Sequence, residues 1–306
     1  MRLAFLIWLA LNGSLAFASE LPRRGLYQIN VNGTGLESIA PDNNLCYGSA
    51  CFSPDGKRLA YDAWIGKPKE ETFRNSHVYV MDIATGKASD GGPGAMPSFA
   101  PDGNSLIMHV YDRDGTGNVV TTSVSENREF GGRERLPIDS NGPRWSPNGR
   151  HIGFRDNRRG GCYSIFDAAT GKSKTVTGNL YSGCWGGRWS SDGKNLCIPV
   201  YGIENRVDHI AVAKLDEQME LDSHKIVVRA YEICANVAWT PDGSQLLCAA
   251  RRSKGDNFQL YLIDSDGEGL PTRLPGQDPT LDNIDPAMSP DGRVVVFCSE
   301  PFNANR

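Results

Sequence analysis

Residues 52–56 read FSPDG, and the phrase returns as FAPDG at 99–103, WSPNG at 145–149, WSSDG at 189–193, WTPDG at 239–243 and MSPDG at 288–292. Counted at the second residue of each copy, the steps are 47, 46, 44, 50 and 49 residues. Self-similarity at a period of roughly 40–50 residues is the sequence mark of a propeller blade. The phrase itself reads as a turn. Proline presets φ at the second turn position, Asp tolerates the third, and Gly supplies the positive φ that returns the chain. The aromatic or Met ahead of the turn is large enough to fill the wedge between neighbouring blades. The turn residues are therefore expected to build the fold, and none is a catalytic candidate.

The flanks supply the remaining strands. Each turn is followed by a β-run such as KRLAYDA (57–63) or RVVVFCS (293–299). A second run ends at Asp and a Gly turn, as in VYVMDIATG (78–86) and YSIFDAATG (163–171), and a weaker fourth strand follows, as in KSKTVTG (172–178). Short β-branched and aromatic runs bounded by Gly, Pro and Asp are the strand-and-hairpin signal. The final repeat stops after two strands. LYQINVNGTG (26–35) aligns with LYLIDSDGEG (260–269), so the N-terminal segment has the form of the missing third and fourth strands. The expectation is an all-β, six-bladed β-propeller with four antiparallel strands per blade, its ring closed by N-terminal strands completing the last blade. Closure also hides sheet edges that would invite aggregation.

Composition agrees with a turn-rich globular chain: 34 Gly and 18 Pro in 306 residues, with a formal net charge of −4. A mildly acidic chain without a Lys/Arg block carries no nucleic-acid footprint. Met1-Arg2, the apolar run Leu3 to Leu11 and Ala16-Phe17-Ala18 form the pattern of a secretory signal peptide over residues 1–18. The propeller is then expected over 19–306, periplasmic or secreted, without a membrane span and as a monomer. Export makes the eight cysteines disulfide candidates, Cys46–Cys51 and Cys162–Cys184 first among them, with connectivity open.

The repeated pattern P-x-[FW]-S-P-D-G, a hydrophobic run, then Tyr-x-x-Asp and Gly, resembles the repeat of TolB-type propellers, the WD-like repeat proteins of bacterial envelopes. The resemblance extends over essentially all of residues 20–306. It implies a propeller fold and a place in the bacterial envelope, and says little about ligand, because one fold hosts many activities. The N-terminal α/β domain of TolB itself is not expected from the few residues ahead of the first repeat.

Function is expected on the face opposite the repeated turn, where connections vary in length from the tight RDNRRGG (155–161) to the long WIGKPKEETFRNSH (64–77). Basic residues recur there: Arg74, Arg113, Arg158, Arg206 and Arg251, with Arg23 and Arg24 in the closing blade. Starts of the innermost strands, Asn44, Ser140, Asn141, Tyr181, Asn236, Asn283 and Asp285, are expected to line the channel mouth. These residues are binding candidates, for a protein or peptide partner first and an acidic glycan second. An exposed aromatic patch with Trp64 and Phe73 would fit the protein partner. A lyase or hydrolase using the channel is the competing class. No HExxH or GxSxG occurs, and DRDGTGN (112–118) and DSDGEG (264–269) read as turns, so no metal or other cofactor is expected.

Overall fold

The computed structural model describes residues 24–41, 44–65, 75–112, 117–201, 207–228 and 232–301. The segment expected as a signal peptide lies outside them. Six four-stranded antiparallel sheets form the ring. Blade 1 comprises β3 (Leu45–Phe52), β4 (Arg58–Ile65), β5 (His77–Asp82) and β6 (Ala88–Pro93). Blade 2 comprises β7 (Ala95–Phe99), β8 (Ser105–Tyr111), β9 (Gly117–Val124) and β10 (Phe130–Leu136), and blade 3 comprises β11 (Ser140–Trp145), β12 (His151–Asp156), β13 (Cys162–Asp167) and β14 (Lys172–Thr175). Blade 4 has β15 (Arg188–Trp189), β16 (Asn195–Tyr201), β17 (Val207–Leu215) and β18 (Leu221–Val228). Blade 5 has β19 (Glu232–Trp239), β20 (Gln245–Arg251), β21 (Gln259–Asp264) and β22 (Thr272–Arg273).

Blade 6 is the composite one. Its order is β2 (Glu37–Ser38), β1 (Gly25–Asn30), β24 (Val294–Pro301) and β23 (Leu281–Met288). β1 pairs antiparallel with β24 from Gly25↔Ser299 to Asn30↔Val294. The N-terminal segment thus closes the ring, and it also buries Leu26 and Ile29 completely.

The apolar core lies between blades, because each sheet buries both faces against its neighbours. Ala60 and Val80 of blade 1 pack on Leu106 and Met108 of blade 2. Ile107 meets Phe154 across the next seam, and Ile165 meets Leu196 across the one after. Cys197 and Val237 join blades 4 and 5. The largest cluster spans the closing seams, linking Leu247 and Leu260 of blade 5, Leu26 and Phe297 of blade 6, and Tyr47 and Tyr61 of blade 1. Fully burying such side chains is worth about 1.5–3 kcal/mol each.

The repeated phrase has the expected role. Trp189 and Trp239 fill inter-blade wedges, and their indole N–H groups donate to the Arg144 and Arg188 carbonyls of the preceding blades at 3.3 and 3.0 Å. In the second turn-rich segment Gly267 N–H donates to the Asp264 carbonyl and Glu268 N–H to Asp266 Oδ1, so DSDGEG is a hairpin. Residues 113–116 of DRDGTGN lie outside the described residues.

Two expectations need correction. Cys46 and Cys51 sit at opposite ends of β3, paired with Trp64 and Ala60 of β4. Five strand residues span about 16 Å, far beyond the ~7 Å a disulfide tolerates. Trp64 is not part of an exposed patch: it is 1 % exposed, with the Arg24 guanidinium 5.8 Å from its ring centroid. Phe73 is outside the described residues. Cys162 and Cys184 are brought close, Cys184 N–H donating to the Gly161 carbonyl at 3.0 Å, and both are thiols here.

Candidate functional site at the two mouths of the channel

The innermost strands carry a feature that the repeat does not announce. In β3, β7, β11, β19 and β23 the register with the second strand breaks, between Tyr47 and Ala50, Ala95 and Ser98, Asn141 and Arg144, Cys234 and Val237, and Ile284 and Ala287. A bulge of this kind inserts unpaired residue into the ladder and re-aims it. The inserted position lies three residues before the wedge aromatic or Met: Ser49, Met96, Gly142, Asn236 and Asp285. Met96 (φ 54°), Gly142 (φ 64°) and Asp285 (φ 53°) are held in the left-handed region. For Met and Asp that conformation is strained, and such strain persists where the surroundings enforce it. Blade 4 has Gly186 at the corresponding place; a Cβ there would stand 3.1 Å from the Gly142 carbonyl oxygen, a tight contact.

These bulges build a cavity of about 300 Å³ at the loop-bearing mouth, lined by Ser49, Met96, Asn236 and Asp285 together with Arg24, Trp185, Glu232, Arg251 and Phe258. Asn236 Nδ2 donates to Asp285 Oδ1 at 2.6 Å and approaches Ser49 Oγ at 3.4 Å, tying blades 5, 6 and 1 together. Arg24, 5 % exposed, ion-pairs with Asp285, while its Nε is buried without a partner among the described residues. Arg251 donates from Nε and Nη2 to Glu232 at 3.0 and 2.9 Å, its guanidinium 4.5 Å from the Phe258 ring centroid. The Met96 bulge is braced from the neighbouring blade, its N–H donating to Asp62 Oδ2 at 2.8 Å. Asp62 is 1 % exposed, and burial pushes its carboxyl up to about 6.

Of the residues expected at the site, Arg24, Asn236, Arg251 and Asp285 converge on this cavity. Arg251 is not a solvated rim cation, being 2 % exposed and paired. Asn44 is an exposed turn residue, Arg158 lies within a single 3-10 turn at Asn157–Arg159 capped by Asp156, and neither lines the cavity. Asn141 stays in the ladder opposite Arg155. Ser140 gives its carbonyl to His109 Nδ1, Asn283 donates to the Asp278 carbonyl at 2.9 Å, and Tyr181 meets His224 edge to face. For the inner strands the reason is common: the bulge, one to four residues beyond the strand start, is the position that turns toward the axis. Arg74, Arg113 and Arg206 lie outside the described residues.

A second, larger cavity of about 530 Å³ opens at the other mouth, on the face of the repeated turns that the sequence reading set aside. All six blades contribute to it through their wedge aromatics or Met and their turn residues. Arg144 and Arg188 form part of its lining. The signal in the sequence was the dipeptide Arg-Trp, repeated at 144–145 and 188–189 one residue ahead of the turn.

The same fold occurs among solved structures. A protein assigned as a TolB from Agrobacterium tumefaciens superposes with a TM-score of 0.68 at 17% identity, over 92% of this chain and 99% of that one. TolB from Acinetobacter baumannii gives 0.60 at 19% identity, over 91% of this chain and 64% of that one. The fold is that of a TolB-like six-bladed propeller. By sequence, the propeller is 27% identical over 212 residues to the uncharacterized peptidase YuxL of Bacillus subtilis (strain 168), a match spanning 66% of this chain and 28% of the peptidase. The chain thus spans less than a third of that relative's length. No family model matches the sequence.

Proposed function

We propose that this propeller is an exported binding scaffold, acting as a monomer, that takes a protein or peptide segment at its loop-bearing mouth. The observation that carries the reading is the convergence of Asn236, Asp285, Arg24, Arg251 and Glu232 on one cavity. Two cations and two carboxylates around amide and hydroxyl groups offer donors and acceptors of both signs, the complement of a peptide backbone with mixed side chains. A cavity of about 300 Å³ suits one inserted side chain or turn rather than a whole domain. Variable loops around it would make the wider contact. Export is supported by the pattern of residues 1–18.

The competing reading is a receptor for, or an enzyme on, acidic carbohydrate drawn by the arginine rim. The pairing of Arg251 with Glu232 removes one cation from that rim. Affinity capture from the native envelope fraction, read by mass spectrometry, separates the two. The mature protein should retain a specific protein that Asn236→Ala loses. Retention of uronate-rich glycan instead, or of the same protein by both forms, would overturn the proposal.

A further inference from the structure

The vestibule at the turn-bearing mouth has a composition that the first cavity lacks. Its walls are the wedge residues, among them Trp145, Trp189 and Trp239, and the turn prolines, and no Asp or Glu lines it. Yet two guanidiniums do. Arg144 is 4 % exposed. Its Nη1 donates to the carbonyls of Met96, Pro97 and Pro143 at 2.8, 3.2 and 3.0 Å, and its Nε is buried with no partner among the described residues. Arg188 donates from Nε to the Val237 carbonyl at 3.1 Å. Among the described residues neither has a carboxylate within ion-pair distance. Burial lowers the affinity of Arg188 for its proton, the sign expected of a cation without a counter-ion. The Cys51 thiol, a vestibule group of blade 1 across the ring, is kept protonated by burial and supplies no counter-charge.

Carbonyl oxygens satisfy some of these N–H groups but leave both charges uncompensated. A buried charge is costly unless it is paired, and a guanidinium matches a carboxylate in planar, two-point geometry. We propose that the vestibule binds a carboxylate carried on an apolar body, the anion meeting Arg188 and Arg144 and the body packing against the Trp and Pro walls. The volume of about 530 Å³ is that of a small-molecule or peptide-terminus site. The site lies at the opposite mouth from Asn236 and Asp285 and does not depend on the function proposed for them.

The test uses the mature protein and tryptophan fluorescence, confirmed by calorimetry, since Trp145, Trp189 and Trp239 all line the vestibule. The probes are 3-phenylpropionate, its amide, and an N-acetylated apolar tripeptide with either a free or an amidated C-terminus. The acids should bind saturably, and each amide at least about tenfold more weakly, as loss of a charge-assisted pair requires. If only the small acid binds, the ligand is a free carboxylate; if the tripeptide acid binds better, it is a peptide C-terminus. Arg188→Met should lose at least about tenfold for the acids while keeping a cooperative melting transition, because it removes a half-buried charge that has no carboxylate partner among the described residues. Equal binding of acid and amide to the wild-type protein, or no saturable binding of either acid, would overturn the proposal without recourse to any variant.

Discussion

Ser53, Ser146, Ser190, Thr240 and Ser289 show what the repeated turn needs from each of its atoms. Each hydroxyl donates to the side chain two residues on, at 2.5–2.7 Å, and accepts the backbone N–H five residues on, at 2.9–3.0 Å. Those hydrogen bonds hold the carboxyls of Asp55, Asp192, Asp242 and Asp291 below their ordinary value, the hydroxyl being the largest cause in every case. Ser289→Ala should therefore cost about 1 kcal/mol, read as a lower midpoint in urea unfolding with unchanged slope. Blade 2 tolerates Ala100 at the same position, which caps the expected loss at a modest one. Asp62 has the opposite sign. Its carboxyl rises from 3.8 to about 6 on burial, so its stabilising contribution is complete below pH 3.8 and is lost as pH rises through 6. The gap corresponds to on the order of 3 kcal/mol. The melting temperature of Asp62→Asn relative to wild type should accordingly climb between pH 4 and 7; a difference that stays flat across that window would contradict the assignment.

At the scale of elements, the inner-strand bulges decide where function can sit. Met96 occupies a left-handed position that glycine fills in blade 3. Met96→Gly should leave stability within about 1 kcal/mol of wild type, relief of strain offsetting lost packing. Met96→Val should cost more than about 2 kcal/mol, since a branched Cβ is the residue shape least compatible with positive φ. Thermal unfolding of the pair checks this. The bulges also mark the limit of what the sequence makes legible. Strand order, blade count and the closing role of LYQINVNGTG follow from periodicity and from wedge and turn chemistry, which are local. Which residue of an inner strand faces the axis follows from a register slip against a different strand, and no local pattern encodes it. Hence Asn236 and Asp285 were found, while Asn141 and Asn283, chosen by the same rule, stay in their own blades. Arg24 and Arg251 read as surface cations in sequence; ring closure brings Asp285 against Arg24, and the β19–β20 pairing sets Glu232 opposite Arg251.

For the whole molecule, closure is the cooperative step. β1 and β2 cover β24 and complete the largest apolar cluster, which spans both seams of blade 6. Deleting residues 20–39 should abolish cooperative folding, monitored by circular dichroism and calorimetry, because it opens an edge and uncovers Leu26, Ile29 and their partners together. Unchanged melting would mean that the ring closes without this segment. A closed ring with a cavity at each mouth offers two candidate sites, and the loop-bearing one carries the main functional reading. Hydrogen exchange on the mature protein, with and without the captured partner, tests it most directly. Protection should appear in 232–237 and 281–286 at the loop-bearing mouth, with the six turns of the other face unaffected. Protection confined to the turns or to the outer blade edges would contradict the account.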